Sequence, residues 1–186
     1  MHPTNSVLYV SFGSQFNVSA SQMKELALGL ELSGQPFIWA VKPPVEYARG
    51  TEFESEWLPE RFEDWVKEKK QGLIVRGWAP QLTILSHNSV GGFLSHCGWN
   101  STVEALSQGV PIIGWPLGGD QFYNAKLLVE EVGVCVEIGR RREAGVGREE
   151  AARVVGEAMG GEKGAAARMT AALVREILKE AAEERG

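Results

Sequence analysis

The chain is poor in cysteine and histidine: its 186 residues hold two cysteines, Cys97 and Cys135, and three histidines, His2, His87 and His96. Two thiols far apart, with no Cys-x-x-Cys pair, build no disulfide framework, and the simplest expectation is a reducing compartment, the cytosol. Positive charge is also short. Against 24 Asp and Glu stand 19 Lys and Arg, a net charge of −5. The broad basic field that nucleic acid or an anionic membrane requires is therefore missing. The basic cluster Arg140, Arg141 and Arg142 reads as a solvated loop. Apolar runs such as Pro36 to Val41 fall far below the roughly 20 residues of a membrane span. The polar start, Met1 to Asn5, is no secretory signal. Nucleic acid and membrane insertion are excluded as expectations. Four motifs are absent too: no GxGxxG follows a strand, and there is no GxxxxGK[ST], HExxH or GxSxG. Dinucleotide dehydrogenases, P-loop NTPases, zinc proteases and serine hydrolases lose support.

What is present is ordinary globular composition, 44% hydrophobic and 23% charged, in a length that suits one domain with a sizeable core. Neither a repeat nor a linker divides it, so residues 1–186 are expected to form a single domain. The run Ser6 to Phe12 reads as a strand that begins almost at the first residue, which implies a fragment of something longer. Ser19 with Gln22 is a capping-box signature, and Met23, Leu26, Ala27 and Leu30 follow at helical spacing to a stop at Gly34. Further strands are expected over Pro36–Val41, Gly72–Val75, Val90–Ser95, Pro111–Trp115 and Val134–Ile138. Helices are expected over Pro59–Lys70, Thr102–Gln108, Gln121–Val132, Arg148–Met159 and Ala165–Glu183, with an exposed loop over Pro43–Ser55. Such alternation predicts an α/β fold with a parallel sheet covered on both faces.

Ligands of open α/β sheets bind beyond the carboxyl ends of the strands. Gly13 and Ser14 follow the first strand; Trp78, Ala79, Pro80 and Gln81 follow the third. His96 to Ser101 follow the fourth, and Pro116, Gly118, Gly119, Asp120 and Gln121 follow the fifth. Four polar, aromatic and glycine-rich loops should converge on one rim. Gly98 would let backbone approach a ligand. Asn100 and Ser101 sit where a helix begins, and a helix N-terminus binds anions without lysine or arginine; alone, Asn100 is equally well an N-cap. Glu104, one turn on, could accept from two adjacent hydroxyls, or be a solvated helix glutamate. Trp78 and Trp99 offer faces that stack on bases or sugars, or are core tryptophans among the six. Asp120 and Gln121 pair a carboxylate acceptor with an amide that donates and accepts; Asp120 could instead cap a helix. His96 could touch a phosphate or pack beside Cys97, and His87 reads as structural.

In chain order these residues read WAPQ, HCGWNS followed by Glu104, GVP, WP and GDQ. From Trp78 to Gln121 the sequence resembles the signature box of plant secondary-product glycosyltransferases, which use UDP-sugars. YVSFGS near the start resembles the first strand of that family's donor domain, so the resemblance covers essentially the whole chain. It implies a Rossmann-like, doubly wound sheet, the C-terminal half of a two-domain GT-B enzyme. On it, Trp78 would stack on uracil and the Ala79 backbone would bond its edge. Gln81 and Glu104 would hold the ribose. Ser14, His96, Gly98, Asn100 and Ser101 would hold the diphosphate, and Trp99, Asp120 and Gln121 would read the sugar. Glutamine at position 121 goes with glucose in this family, so UDP-glucose is the expected donor; neither a cofactor nor a metal is implied.

The family's general base is a histidine in an N-terminal acceptor domain, and none of His2, His87 and His96 matches it. The resemblance thus implies a donor-binding half that transfers no sugar by itself. A stand-alone nucleotide-sugar module with a regulatory role is the alternative, and an unrelated Rossmann-like enzyme such as a dehydrogenase the third reading. The rim that would face the other half carries Phe16, Trp99, Trp115, Leu117 and Phe122, expected to be exposed. Met169, Leu173, Ile177 and Leu178 add an apolar stripe on the last helix.

Overall fold

The strands read as near-continuous apolar runs because both of their faces are covered. Every residue of β1 (Val7–Ser11) and of β4 (Val90–Ser95) is buried. Along β2 (Phe37–Val41), Trp39 and Val41 pack to one side while Ile38 and Ala40 pack to the other, the period-2 alternation of a strand. The structure, a computed structural model, describes residues 2–48, 50–138 and 145–184; the arginine loop at 140–142 lies outside the described residues. β3 (Gly72–Arg76), β5 (Ile112–Gly114) and β6 (Cys135–Glu137) complete a six-stranded sheet. Its order is β3-β2-β1-β4-β5-β6 with every pairing parallel, which is the Rossmann order. The expected α/β doubly wound architecture is what the chain adopts.

Helices α1 (Ala20–Ser33) and α6 (Arg148–Gly160) cover one face, where Met23, Leu26, Leu30, Val154 and Val155 meet Leu8, Val10, Trp39 and Leu94. α3 (Gln81–Leu85), α4 (Trp99–Ser107) and α7 (Glu162–Glu183) supply Leu85, Ala105, Leu106 and Ala171 to the other, against Tyr9, Phe93 and Ile112. α5 (Gln121–Leu127) adds Ala125 to that second core. α2 (Phe62–Lys69) packs beside β3 at the sheet's edge.

Several local expectations are met and several are corrected. Ser19 caps α1, its hydroxyl accepting from the Gln22 amide at 3.2 Å, and Gly34 ends it in the left-handed region. The capping box is not closed, however. The Gln22 side chain accepts from the Val146 amide at 2.7 Å instead, tying α1 to the approach to α6. Pro59 does not start α2: Arg61 has φ +62°, so Pro59 to Arg61 form a turn and the helix begins at Phe62. α4 begins at Trp99, three residues earlier than expected. The helix after Gln121 is α-helical only to Leu127 and then widens into a π turn over Leu128–Val132. α3 had no counterpart in the sequence reading. Cys97 and Cys135 are buried free thiols. Among the described residues no helix is long and apolar enough to cross a membrane.

Two glycines separate packing from propensity. A Cβ on Gly164, in the first turn of α7, would collide with the carbonyl oxygen of Ala158, whereas one on Gly156, inside α6, would meet nothing within 4 Å. Gly156→Ala should stabilise the chain by about 0.5–1 kcal/mol through helix propensity. Gly164→Ala should destabilise it by about 1–3 kcal/mol through overpacking. Urea unfolding of both variants tests this, and equal signs would contradict it.

Candidate functional site

The strand order reverses between β1 and β4, and the chain leaves these two neighbours for helices on opposite faces. That is where a crevice opens at the carboxyl ends of a parallel sheet. Two adjoining cavities occupy it, of about 380 and 310 Å³, and they share Gly13, Ser14, Asn100 and Ser101 as walls. All twelve predicted residues line one or both. Trp78, Ala79, Gln81 and Glu104 belong to the first; His96, Gly98, Trp99, Asp120 and Gln121 belong to the second. A larger, mainly apolar groove of about 550 Å³ lies at the other end of the strands, beside Val7, Phe37 and Val90. It lacks the converging polar loops, so the carboxyl-end crevice is the candidate site.

Between the two cavities stands the start of α4. Its N-cap is Gly98 with extended backbone, and the first helical bond runs from the Thr102 amide to the Gly98 carbonyl at 3.0 Å. The amides of Trp99, Asn100 and Ser101 precede that bond and are the unsatisfied donors of a helix N-terminus. Asn100 is therefore inside the first turn, and the reading of it as an N-cap is set aside. Glu104 lies one turn further on the same face. The Gln81 amide nitrogen donates to Glu104 Oε2 at 2.7 Å and to Ser101 Oγ at 3.0 Å, so α3 is laced to α4 across the first cavity. Trp78 is 81% exposed, and Trp99 is 52% exposed. Neither is a core tryptophan; each presents ring surface at the rim.

His96 is 8% exposed. Its ring sits between Gly13 and Gly98: a side chain at either position would collide with it. What requires glycine at 98 is therefore the imidazole, and at 13 the left-handed backbone (φ +73°) as well. Nδ1 is buried without a hydrogen-bond partner. Burial first, and the Lys42 charge second, push the His96 pKa down from 6.5 to about 4, while Asp120 opposes them. The ring is neutral at pH 7. His87 is structural as expected, its Nδ1 accepting from the Ser89 amide at 3.1 Å.

Asp120 precedes α5 but makes no side-chain cap. Its Oδ2 accepts from Asn124 Nδ2 at 3.0 Å, and the same nitrogen donates to the Cys97 carbonyl at 3.0 Å. Gln121 is 2% exposed, and its Oε1 accepts from the amides of Leu117 and Gly118 at 2.9 and 3.0 Å. This corrects the sequence reading, in which Gln121 both donates and accepts: the oxygen is committed to the loop, and Nε2 is left as a donor. The expected exposed rim is also corrected. Trp115 is buried edge-on against Phe12, and Leu117 and Phe122 are half-buried; Phe16 and Trp99 are exposed. The α7 stripe of Met169, Leu173, Ile177 and Leu178 is exposed as expected.

Two residues of the site escaped the sequence reading. Asn124, which joins Asp120 to the Cys97 loop, carries no motif. Lys42 follows β2 directly and lines the first cavity beside Gly13 and Ser14, its ammonium donating to the Gly13 carbonyl. The signal for it is position, since the loop after the second strand ends on the same rim as the loops after the first, third, fourth and fifth. Among the described residues, no group of three or more His, Cys, Asp or Glu side chains could hold a metal.

Residues 3–155 match the family described as UDP-glucoronosyl and UDP-glucosyl transferase. A scopoletin glucosyltransferase of Nicotiana tabacum is 46% identical over 188 residues, covering 98% of this chain and 37% of that protein. Phytolacca americana UGT2, solved with UDP-2fluoro-glucose and pterostilbene, superposes with a TM-score of 0.84 at 43% identity over 94% of this chain and 37% of its own. Medicago truncatula UGT71G1, solved with UDP-glucose, gives 0.82 at 34% identity, over 94% of this chain and 36% of its own. The chain thus spans little more than a third of the length of these proteins.

The depressed His96 pKa has a signed consequence. Between pH 6.5 and about 4 the unfolded chain carries a proton at His96 that the folded chain does not. Stability should therefore fall as pH drops through that window, by about 3 kcal/mol from this group, with no further loss below it. An NMR titration of the ring should give a midpoint near 4, and a midpoint at the ordinary histidine value would show the ring to be solvated.

Proposed function

The chain belongs to the UDP-glucoronosyl and UDP-glucosyl transferase family, and from that premise we propose that its 186 residues are the donor-binding domain of a plant glycosyltransferase. The whole protein would transfer a hexose, glucose, from a UDP-sugar to a small-molecule acceptor held by a second, N-terminal domain. The observation that carries the reading is the order of groups along the crevice. An exposed indole stands at one end, a helix N-terminus in the middle, and a carboxylate with an amide at the other end. That sequence matches base, diphosphate and sugar.

Trp78 stacks on the uracil, whose edge bonds the Ala79 backbone. Glu104, already bonded to Gln81, accepts from the ribose hydroxyls, and Gln81 steadies it. Asn100, Ser101 and the free amides of the first turn of α4 donate to the diphosphate, with Ser14 and His96 beside them. Gly98 starts the helix and leaves room for the imidazole. Asp120 accepts from sugar hydroxyls, the Gln121 Nε2 donates to one, and Trp99 covers a sugar face. Neutral donors of this kind stabilise a leaving diphosphate without a metal cation. Two buried free thiols, Cys97 and Cys135, support a cytosolic location.

Calorimetric titration with UDP and UDP-glucose in EDTA should give saturable binding, with UDP-glucose tighter than UDP-galactose. Trp78→Ala should weaken UDP by about 1–3 kcal/mol. Binding that vanishes in EDTA and returns with magnesium would contradict the metal-free site.

Transfer needs a base within reach of the acceptor hydroxyl. His96 is buried at the donor side and its Nδ1 is enclosed, so it does not serve. Incubated with UDP-glucose and phenolic acceptors, this chain should form no glucoside. Glucoside formation that is lost in His96→Ala would put the base in this half.

A further inference from the structure

The crevice holds one cation whose role the donor assignment leaves open. Among the described residues, Lys42 is the single lysine or arginine that lines either of the two cavities. Its backbone is fixed at the carboxyl end of the sheet by Asn17, whose Nδ2 donates to the carbonyls of Lys42 and Pro43 at 2.8 and 2.6 Å. The side chain turns inward to the loop after β1, where the ammonium donates to the Gly13 carbonyl. No carboxylate pairs with it among the described residues. Burial shifts its pKa downward. A half-buried ammonium without a counter-ion carries a desolvation cost that an anion entering the cavity removes.

The carbonyl it touches belongs to Gly13, a wall common to both cavities and adjacent to Ser14. The start of α4 faces the same junction through Asn100 and Ser101. A diphosphate there would carry at least two negative charges. The helix terminus answers with about half a positive charge, and the neutral His96 ring adds none. We propose that Lys42 is the charge partner of the donor's diphosphate, a binding residue that completes from β2 the anion site begun by the loop after β1 and the N-terminus of α4. The inference rests on the reading of this crevice as a UDP-sugar site. Lys42 would also be drawn toward the diphosphate as it leaves with the sugar's bonding electrons, where charge on its oxygens is greatest.

The competing account is that Lys42 only braces the Gly13 loop through its hydrogen bond. Two substitutions separate them. Lys42→Met removes both charge and donor; Lys42→Gln removes the charge but keeps an N–H donor. Titrating wild type and both variants with UDP and with uridine, which lacks the phosphates, gives the decision. If Lys42 neutralises the diphosphate, both variants weaken UDP by about ten-fold or more while uridine binding is unchanged. If it only braces the loop, Lys42→Gln retains wild-type affinity for UDP, or both variants lose UDP and uridine alike; either result overturns the proposal. A wild-type chain that binds neither UDP nor UDP-glucose overturns the donor reading itself. A wild type that binds UDP, with variants that bind it equally well, removes only the role of Lys42. Lys42→Arg, which keeps the charge, should retain most of the affinity, and its failing alongside Lys42→Gln while circular dichroism reports loss of the fold would assign the effect to structure.

Discussion

Everything at the crevice depends on the parallel pairing of β1 with β4 at the centre of the sheet. Five residue pairs join them, from Val7 with Val90 to Ser11 with Ser95. The two strands therefore end level, and the chain leaves them in opposite directions, β1 toward α1 on one face and β4 toward α4 on the other. Neighbours that diverge in this way leave a gap that no connection crosses. The register is held at the far end as well. A one-residue irregularity after Val7 lets Gly91 pass close to the Asn5 backbone, where any side chain would collide. A slip in this register would carry Ser11 and Ser95 out of line, and with them Gly13 and His96, which meet in the wall of the second cavity.

The loops that reach this gap are tied to one another before any ligand arrives. Gln81 joins α3 to α4 through Ser101 and Glu104. Asn124 joins α5 to the Cys97 carbonyl and to Asp120. Gln121 holds the loop that follows β5 by two backbone amides. Each bond fixes a polar side chain of the site, so the site has lost much of its freedom already. Preorganised donors of this kind stabilise charge more effectively than mobile ones, because no reorganisation accompanies binding. The groups so fixed are mostly neutral, which fits a chain of net negative charge.

Much of this was legible in the sequence, for a definite reason. Buried parallel strands are short apolar runs between glycines and polar loops, and five-residue runs such as VLYVS and FIWAV have few other uses. The residues of the site were legible because a Rossmann sheet gathers its strand-end loops on one rim, and a dense motif ran through three of them. What escaped is set by tertiary contact. Arg61 in the left-handed region delays α2, and no local pattern announces it. The five residues of α3 are too few to display a helical period. The buried state of Trp115 follows from Phe12, which is remote in sequence. Gln121 could be read as a two-way hydrogen-bonding group until the loop that consumes its oxygen was seen. Lys42 lay in plain view after a strand, but a lone lysine beside two prolines gives no sign that it turns inward.

The turn from β4 into α4 concentrates these constraints in one residue. Cys97 has φ +62°, a conformation that costs a side-chain-bearing residue about 1–2 kcal/mol. Three contacts hold it there: its amide donates to Ser95 Oγ at 3.2 Å, its carbonyl accepts from Asn124 at 3.0 Å, and its thiol is fully buried beside Cys135 and Gly114. The reversal at this point turns the chain directly after His96, whose ring lies against Gly13, so that the next residue, Gly98, starts the helix. An extended residue in its place would carry α4 away from the crevice, and glycine would allow the turn without the buried sulfur that anchors it. The strain is thus located where backbone direction must change within one residue for an imidazole and a helix N-terminus to face the same small volume.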